Sequence, residues 1–407
     1  NRLPPSVALR VSFTFFVSIS VMLSGGNASA QQLERRDTVA ERYRPGLDAD
    51  GVPVGGMRLF PDIGLELRSN DNVRADNQAK LSDTALRVLP EIRLESLTSR
   101  HRAEIGANGD ITRYADLATE DYEDYRFWGL GEMAIGDGLL RGELRLNNLH
   151  EDRASPNDLR GNELTQFDRD SVYLSYTHRP GRFMLQFDGE FARFDFDSTD
   201  TSGGVVNNDD RDRDFTDIGV RAGFVMSPDY VIYAEARFRE TDYDLTFDRF
   251  GFTRHSDGTE FRLGALLDFT GRTAGEFYVG YLDRDFDDPR FSDVSLPSFG
   301  GEVSWNVSGL TTLTFGGSRS VGGTTVIGVS NITSTRLAFG ANHELMRNLV
   351  LSLDFEIGDD DFENTSRVDD VKEIELGGRY LMNRYFQLMF GYRYRDRDTS
   401  PTTSVGR

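Results

Sequence analysis

The chain has no cysteine and only two lysines, Lys80 and Lys372. Without thiols there is neither a disulfide framework nor a thiolate metal site. Positive charge is also in deficit. Asp and Glu number 67 against 46 Lys and Arg, giving a formal net charge of −21. Nucleic acid is therefore excluded as a partner, because phosphate binding calls for a basic surface. Beyond residue 23 there is no long apolar run. A bundle of transmembrane helices is excluded, since each span needs about 20 consecutive apolar residues. What the chain does have is aromatic residues, 29 Phe and 15 Tyr, together with 41 Gly. That mixture is too rich in large rings for disorder and suits strands joined by turns.

Residues 1–30 read as a signal peptide. Arg2 and Arg10 make a basic start, residues 11–23 are an apolar run too short to span comfortably, and Ala28-Ser29-Ala30 supplies a small-residue cleavage pattern ahead of Gln31. No Cys follows, so lipoprotein anchoring is excluded. The first residue is Asn rather than Met, and the chain is read as a fragment. Residues 31–56 are polar, with Pro45, Pro53 and several Gly, and read as a short periplasmic N-terminal segment. Asp48-Ala49-Asp50-Gly51 resembles the start of a calcium loop, but the downstream acidic spacing is missing, and a plain turn is the better reading.

From Met57 onward, segments of about ten residues alternate apolar with polar, the period of a strand with two different faces. Phe183, Leu185, Phe187 and Phe191 alternate with Gln186, Asp188 and Glu190. Phe386, Leu388, Phe390, Tyr392 and Tyr394 alternate with Gln387, Arg393 and Arg395, which puts Leu388 and Phe390 on lipid and Gln387 in a lumen. Seventeen such segments lie between Met57 and Asp396.

The connections decide what these strands build. Every second link is very short (97–101, 136–138, 179–182, 227–229, 271–273, 308–310, 346–348, 382–384). The links between them are long and acidic (69–82, 115–123, 151–168, 195–213, 242–256, 284–297, 319–334, 358–369). Strict short–long alternation describes an up-and-down meander with two chemically different ends, as in transmembrane barrels with short periplasmic turns and long extracellular loops. A sandwich, with its Greek-key crossovers, has no reason for it. The fold class expected is therefore all-β: a transmembrane up-and-down antiparallel β-barrel over residues 57–407, with outer-membrane lipid as its surroundings. Such barrels in bacteria have an even strand number, so seventeen visible strands imply eighteen when complete, with a C-terminal strand missing.

The polar face would line the lumen. Its candidates are Arg93, Arg141, Glu143, Arg145, Asp188, Glu190, Arg221, Arg237, Arg262, Arg379, Arg393 and Arg395. About eighteen strands leave room for an aqueous channel, and opposite charges on neighbouring strands would pair. For any single residue, structural pairing is the plainer role; transport belongs to the set. Trp128 and Trp305 fit interfacial girdles. Catalysis finds little support. The five His are scattered without metal-ligand spacing, and there is no Gly-x-Ser-x-Gly elbow or phosphate-cradling loop. The acidic runs 209–214 and 359–361 are read as solvated loop rather than cation sites. No enzyme, metal or cofactor is expected.

With the barrel in hand, one resemblance emerges. Glu41-Arg42-Tyr43-Arg44-Pro45, Asn70-Asp71-Asn72-Val73, Tyr114-Ala115-Asp116-Leu117 with Asp121-Tyr122, the run 150–156 and the run 206–212 are similar to segments of a family of outer-membrane β-barrel porins linked to exopolysaccharide biosynthesis and export gene clusters. The resemblance implies passage of a polysaccharide across the bacterial outer membrane, with periplasmic export components as partners, and carries over no catalytic residue. The alternative is a general diffusion porin for small hydrophilic solutes. An exporter wants aromatic and hydrogen-bonding groups in the lumen; a diffusion porin wants a loop folded inward.

Overall fold

Each of the seventeen alternating segments is a strand in the computed structural model, which describes residues 10–22, 38–96, 98, 101–227, 229–269 and 272–400. In chain order they are β2 (Met57–Asn70), β3 (Asp83–Ser96), β4 (His101–Tyr114), β5 (Tyr122–Ile135), β6 (Gly138–His150), β7 (Gln166–His178), β8 (Phe183–Phe196), β9 (Arg213–Ser227) and β10 (Tyr230–Tyr243), then β11 (Ser256–Phe269), β12 (Thr273–Phe286), β13 (Val294–Ser308), β14 (Thr311–Gly323), β15 (Asn331–Met346), β16 (Leu349–Phe362), β17 (Val368–Leu381) and β18 (Phe386–Ser400). Each pairs antiparallel with the next, from β2 round to β18. Register shifts occur at the inner ends of β9, β13 and β15, next to short turns, where bulges turn a barrel rim.

The ring is closed by an eighteenth strand. β1 (Arg10–Met22) pairs antiparallel with both β18 and β2. It comes from the apolar stretch read as a signal peptide, and its sequence explains the dual character. Val11, Phe13, Phe15, Val17, Ile19 and Val21 alternate with Ser12, Thr14, Ser18 and Ser20, apart from Phe16. Cleavage ahead of Gln31 would remove β1 and open the edges of β2 and β18, so one molecule cannot satisfy both readings of residues 10–22. The strand count also exceeds expectation. Val52–Val54 adds a short strand to the start of β2, making 19 in the sheet, and Thr199–Thr201 with Gly204–Val206 forms a separate hairpin in a long loop.

Most strands run 13–16 residues, longer than the roughly 9–11 that cross a bilayer. Several long links are consequently shorter than the charge pattern implied. The acidic run 359–361 belongs to the outer end of β16, not to a loop. The remaining outer loops are L1 (71–82), L2 (115–121), L3 (151–165), L4 (197–212), L5 (244–255), L6 (287–293), L7 (324–330) and L8 (363–367).

The two faces are opposite in kind. Phe183, Leu185, Phe187 and Phe191 of β8 are exposed outward, while Met184, Asp188, Ala192 and Phe196 are buried. The outward belt is apolar throughout: Leu263 is 66% exposed and Ile105 61%. Such a belt is stable only against lipid, so the fold is a transmembrane β-barrel. Trp305 lies on this face near the inner rim, as expected for a girdle. Trp128 does not. It shares the inward face of β5, donates its indole N–H to Glu104 at 2.8 Å, and covers Gly106, where any Cβ would lie within 2.1 Å of the ring. Period-two alternation fixes which residues share a face, but β5 is aromatic on both, so composition misplaced this one. A small buried apolar cluster (Val329, Ile332 and Phe362) sits under L7 at the outer end.

Candidate functional site

Inside the wall, cross-strand register turns alternating charges into a lattice. On β9, β10 and β11, Arg221 lies opposite Glu235, and Glu235 opposite Arg262. Arg221 reaches Glu235 at 3.0 Å and Glu276 at 2.9 Å. Arg237 holds three carboxylates: Asp188 at 3.0 Å, Asp217 at 2.7 Å and Glu235 at 2.8 Å. Arg262 bonds Glu260 at 2.7 Å, and Arg239 bridges Asp217 at 2.7 Å and Glu260 at 3.1 Å. Tyrosines brace the guanidinium planes, Tyr233 under Arg221 at 3.9 Å and Tyr278 under Arg262 at 4.2 Å. Glu235, Asp217 and Glu260 are thus each shared between cations, which offsets the cost of taking charge out of water.

All twelve sequence candidates share the strand face opposite the exposed apolar residues, but they do not converge on one point. Asp188, Arg221, Arg237 and Arg262 join the lattice just described, and Glu190 pairs with Arg169 at 3.3 Å. Arg141 and Arg145 flank Glu143 at 3.4 and 2.5 Å. Arg93 pairs with Glu95. Arg393 pairs with Glu373 at 3.2 Å and with Glu375, and Arg395 with Glu373 at 2.7 Å. Arg379 stands apart at the inner end, donating to the carbonyl of Ala40 at 2.5 Å. Asp217, Arg239, Glu260 and Glu373 were equally visible in the alternation, but their role needs the cross-strand register.

The outer mouth is crossed by L3. Away from its β6–β7 base, Asp152 meets Arg395 of β18 at 3.3 Å, and Asn157 Oδ1 accepts the Thr324 hydroxyl at 2.8 Å and the Thr325 N–H at 3.1 Å in L7. Buried pairs tie it to its neighbours: Arg153 to Glu120 of L2 at 2.8 Å, and Glu151 to Arg211 of L4 at 2.9 Å. L3 leaves a cavity on either side. One of about 400 Å³ is lined by Arg68, Arg336, Arg393, Arg395 and Arg397 with Glu356 and Glu373. The other, about 270 Å³, is lined by Phe167, Phe194, Phe196 and Tyr243 with Arg211 and Arg213.

Residues 38–51 close on the inner mouth. Val39 N–H donates to Thr312 Oγ1 at 2.9 Å, Arg42 to the Gly309 carbonyl at 2.8 Å, and Arg44 pairs with Glu344 at 3.0 Å. Asp50 accepts from Tyr43 at 2.6 Å and pairs with Arg384 at 2.9 Å, so the calcium-like sequence is a turn held by side chains. The Asp50 carboxylate pushes the Tyr43 hydroxyl up to about 12.

Within the acidic runs, single carboxylates are likewise held by arginines. Asp210 pairs with Arg249 at 2.5 Å; burial opposes its ionisation, but Arg249 and its backbone N–H outweigh this and hold the carboxyl below its ordinary range. Asp360 pairs with Arg336 at 2.5 Å and Arg397 at 3.1 Å. Among the described residues no group of three or more His, Asp or Glu could hold a metal ion. His150 and His255 each contact one carboxylate, Asp124 at 2.9 Å and Asp242 at 2.6 Å.

A match to a known family agrees with the architecture. The family described as "Putative beta-barrel porin 2" matches residues 44–405. No curated protein matches the chain. Similar solved structures include a ferric enterobactin receptor mutant from Pseudomonas aeruginosa (9% identity, 96% of this chain and 81% of that one, TM-score 0.45). The siderophore receptor PiuA from Acinetobacter baumannii aligns at 9% identity over 94% and 81%, TM-score 0.44. An anion-selective porin from Comamonas acidovorans aligns at 11% identity over 97% and 100%, TM-score 0.34.

Proposed function

This chain belongs to that β-barrel porin family and resides in the bacterial outer membrane, and we propose that it is a passive channel for small hydrophilic solutes, graded in size by L3. The observation that carries this reading is L3 itself, which leaves the wall between β6 and β7 and is fastened to the far wall, through Asp152 to β18 and through Asn157 to L7. A loop pinned across the mouth is what a diffusion porin needs, and sequence alone did not locate it. Family membership points to a channel rather than an enzyme.

Exopolysaccharide export is the second reading. The loop motifs quoted above support it, as do the rings facing the lumen: Trp128, Phe194, Phe196, Tyr233, Tyr243 and Tyr278. A polymer moving past many weak partners would be conducted without being trapped. Its implied partners are the polysaccharide and periplasmic export components.

One pair of measurements separates the two. Proteoliposomes should swell in small sugars, with a size cut-off that rises when residues 153–158 are replaced by a short Gly-Ser link. A strain lacking the gene should lose permeability to small hydrophilic solutes and secrete normal polysaccharide. Unchanged permeability with abolished secretion would replace the porin reading by the exporter.

A further inference from the structure

We propose that the outer mouth carries a subsite for an acidic sugar residue, built by Arg213 beside the rings of Phe194, Phe196 and Tyr243, with Arg284 as a second cation in the neighbouring cavity. The proposal deepens the channel reading above and rests on it. Most arginines of the inward face hold one to three carboxylates. Arg213 does not. It donates to the Arg211 carbonyl at 2.7 Å and, among the described residues, meets no carboxylate. Arg284 is similar, bonded to Ser256 and Thr241 hydroxyls at 2.8 and 3.2 Å and to the Val321 carbonyl at 3.3 Å. The two flank neighbouring inward positions of β10. Arg213 lies 5.7 Å from the Tyr243 ring, and Arg284 bonds Thr241.

The carboxylates in the adjoining cavity are already taken. Glu151 is bound by Arg211 and Asp152 by Arg395, so Arg213 leaves an uncompensated cation there. The rings make the site selective for more than charge. Phe167 and Phe196 stack at 5.0 Å, and Arg213 lies 4.4 Å over Phe194. The half-buried rings of Phe194 and Tyr243 take the apolar face of a pyranose, while Ser155 and the amide nitrogen of Asn157 offer polar partners. A planar, weakly hydrated guanidinium already lying on a ring is suited to receive a carboxylate in a fork. A hydroxylated ring carrying one carboxylate satisfies all three features at once.

The full-length protein is tested with trigalacturonate, and with maltotriose as its uncharged counterpart, by current block in planar bilayers and by calorimetry in detergent. Trigalacturonate should bind about tenfold more tightly, as expected for one charge-assisted carboxylate contact. Arg213→Gln, and independently Arg284→Gln, should erase most of that advantage, and Phe194→Leu should weaken both sugars. Higher salt should diminish only the trigalacturonate term. Equal affinity for the two sugars, a ratio unmoved by both arginine variants, or acetate competing as well as galacturonate would overturn the subsite. A protein that binds trigalacturonate selectively yet passes no current would instead refute the channel and keep the subsite.

Discussion

The two mouths of this barrel are held by different chemistry. At the outer end, buried arginines fasten loop to loop: Arg153 to Glu120, Arg211 to Glu151, Arg254 to Asp248 and to the carbonyls of Thr324 and Val329. At the inner end one continuous segment, residues 38–51, is strapped to the rim largely through backbone groups and a single deeply buried pair, Arg44 with Glu344. A mesh distributes its load, whereas a strap depends on a few points. Loss of one outer pair should therefore loosen several loops together, and loss of the inner pair should release one segment and leave the barrel intact.

The largest effect is expected from breaking the mesh. Arg153→Met leaves Glu120 and Asp158, both nearly inaccessible, without their shared and most buried cation. Among the described residues, Glu120 then keeps only the half-exposed Arg74, and Asp158 only Arg160 at 3.7 Å. Removing one partner of a buried pair costs about 3–5 kcal/mol, and these remaining pairs place the cost at the lower end of that range. Denaturant unfolding should show that loss, and L2 and L3 should become protease-sensitive together. Cleavage confined to L3 would mean the loops are independent.

Next comes the wall that separates the mouths. Leu263→Arg, near the middle of the outward face of β11, should cost about 2–4 kcal/mol in refolding titrations into lipid vesicles. Asn108→Arg, on the inward face of β4 opposite Glu91, should cost little. Equal costs would deny that the outward belt meets lipid.

The strap should respond more weakly. Arg44→Met removes a cation that is 3% exposed from Glu344, which is 13% exposed, and should destabilise docking of the segment by about 1–3 kcal/mol. Expected readouts are proteolysis near residue 42 and a rise in single-channel conductance, with the global unfolding midpoint unchanged. A shifted midpoint would mean that residues 38–51 belong to the barrel's cooperative unit.

Much of this was legible beforehand, for identifiable reasons. Period-two alternation gave all seventeen strands and the inward face, because side-chain direction in a strand is fixed by parity alone. Link length gave the two ends. What could not be read was anything that depends on where loops go once they leave the wall. Asp152 and Asn157 are ordinary loop residues until their partners, more than 160 positions away, are known. Residues 10–22 show the other limit. Phe, Val and Ile alternating with Ser and Thr suit both a leader and a strand, and no composition separates the two. Since β1 runs antiparallel to β18, Arg10 lies at the long-loop end, far from the strapped segment. Intact mass of the outer-membrane protein decides between leader and strand: retention of residues 10–22 keeps β1 in the wall, and a mature start at Gln31 makes them a leader.

The smallest expected effect distinguishes the mouths by pH. Asp212, at the end of L4, accepts the Phe196 N–H at 2.7 Å. Burial, with the nearby carboxylates of Asp195, Asp209 and Asp244, pushes its carboxyl up to about 6 from an ordinary 3.8. An acid whose folded pKa is raised binds more protons in the folded state between these two values. Its contribution is therefore fully present below about 3.8 and is lost as pH rises through about 6. L4 should be better protected at pH 4.5 than at pH 7.5, measured by amide hydrogen exchange corrected for intrinsic rate. Asp212→Asn, which keeps an acceptor and cannot ionise, should make L4 protection nearly independent of pH while leaving the inner strap untouched. If wild-type L4 exchanges equally at both pH values, Asp212 is solvated and the outer mesh does not sense acid; if the Asn variant keeps the full dependence, another group in the loops carries it.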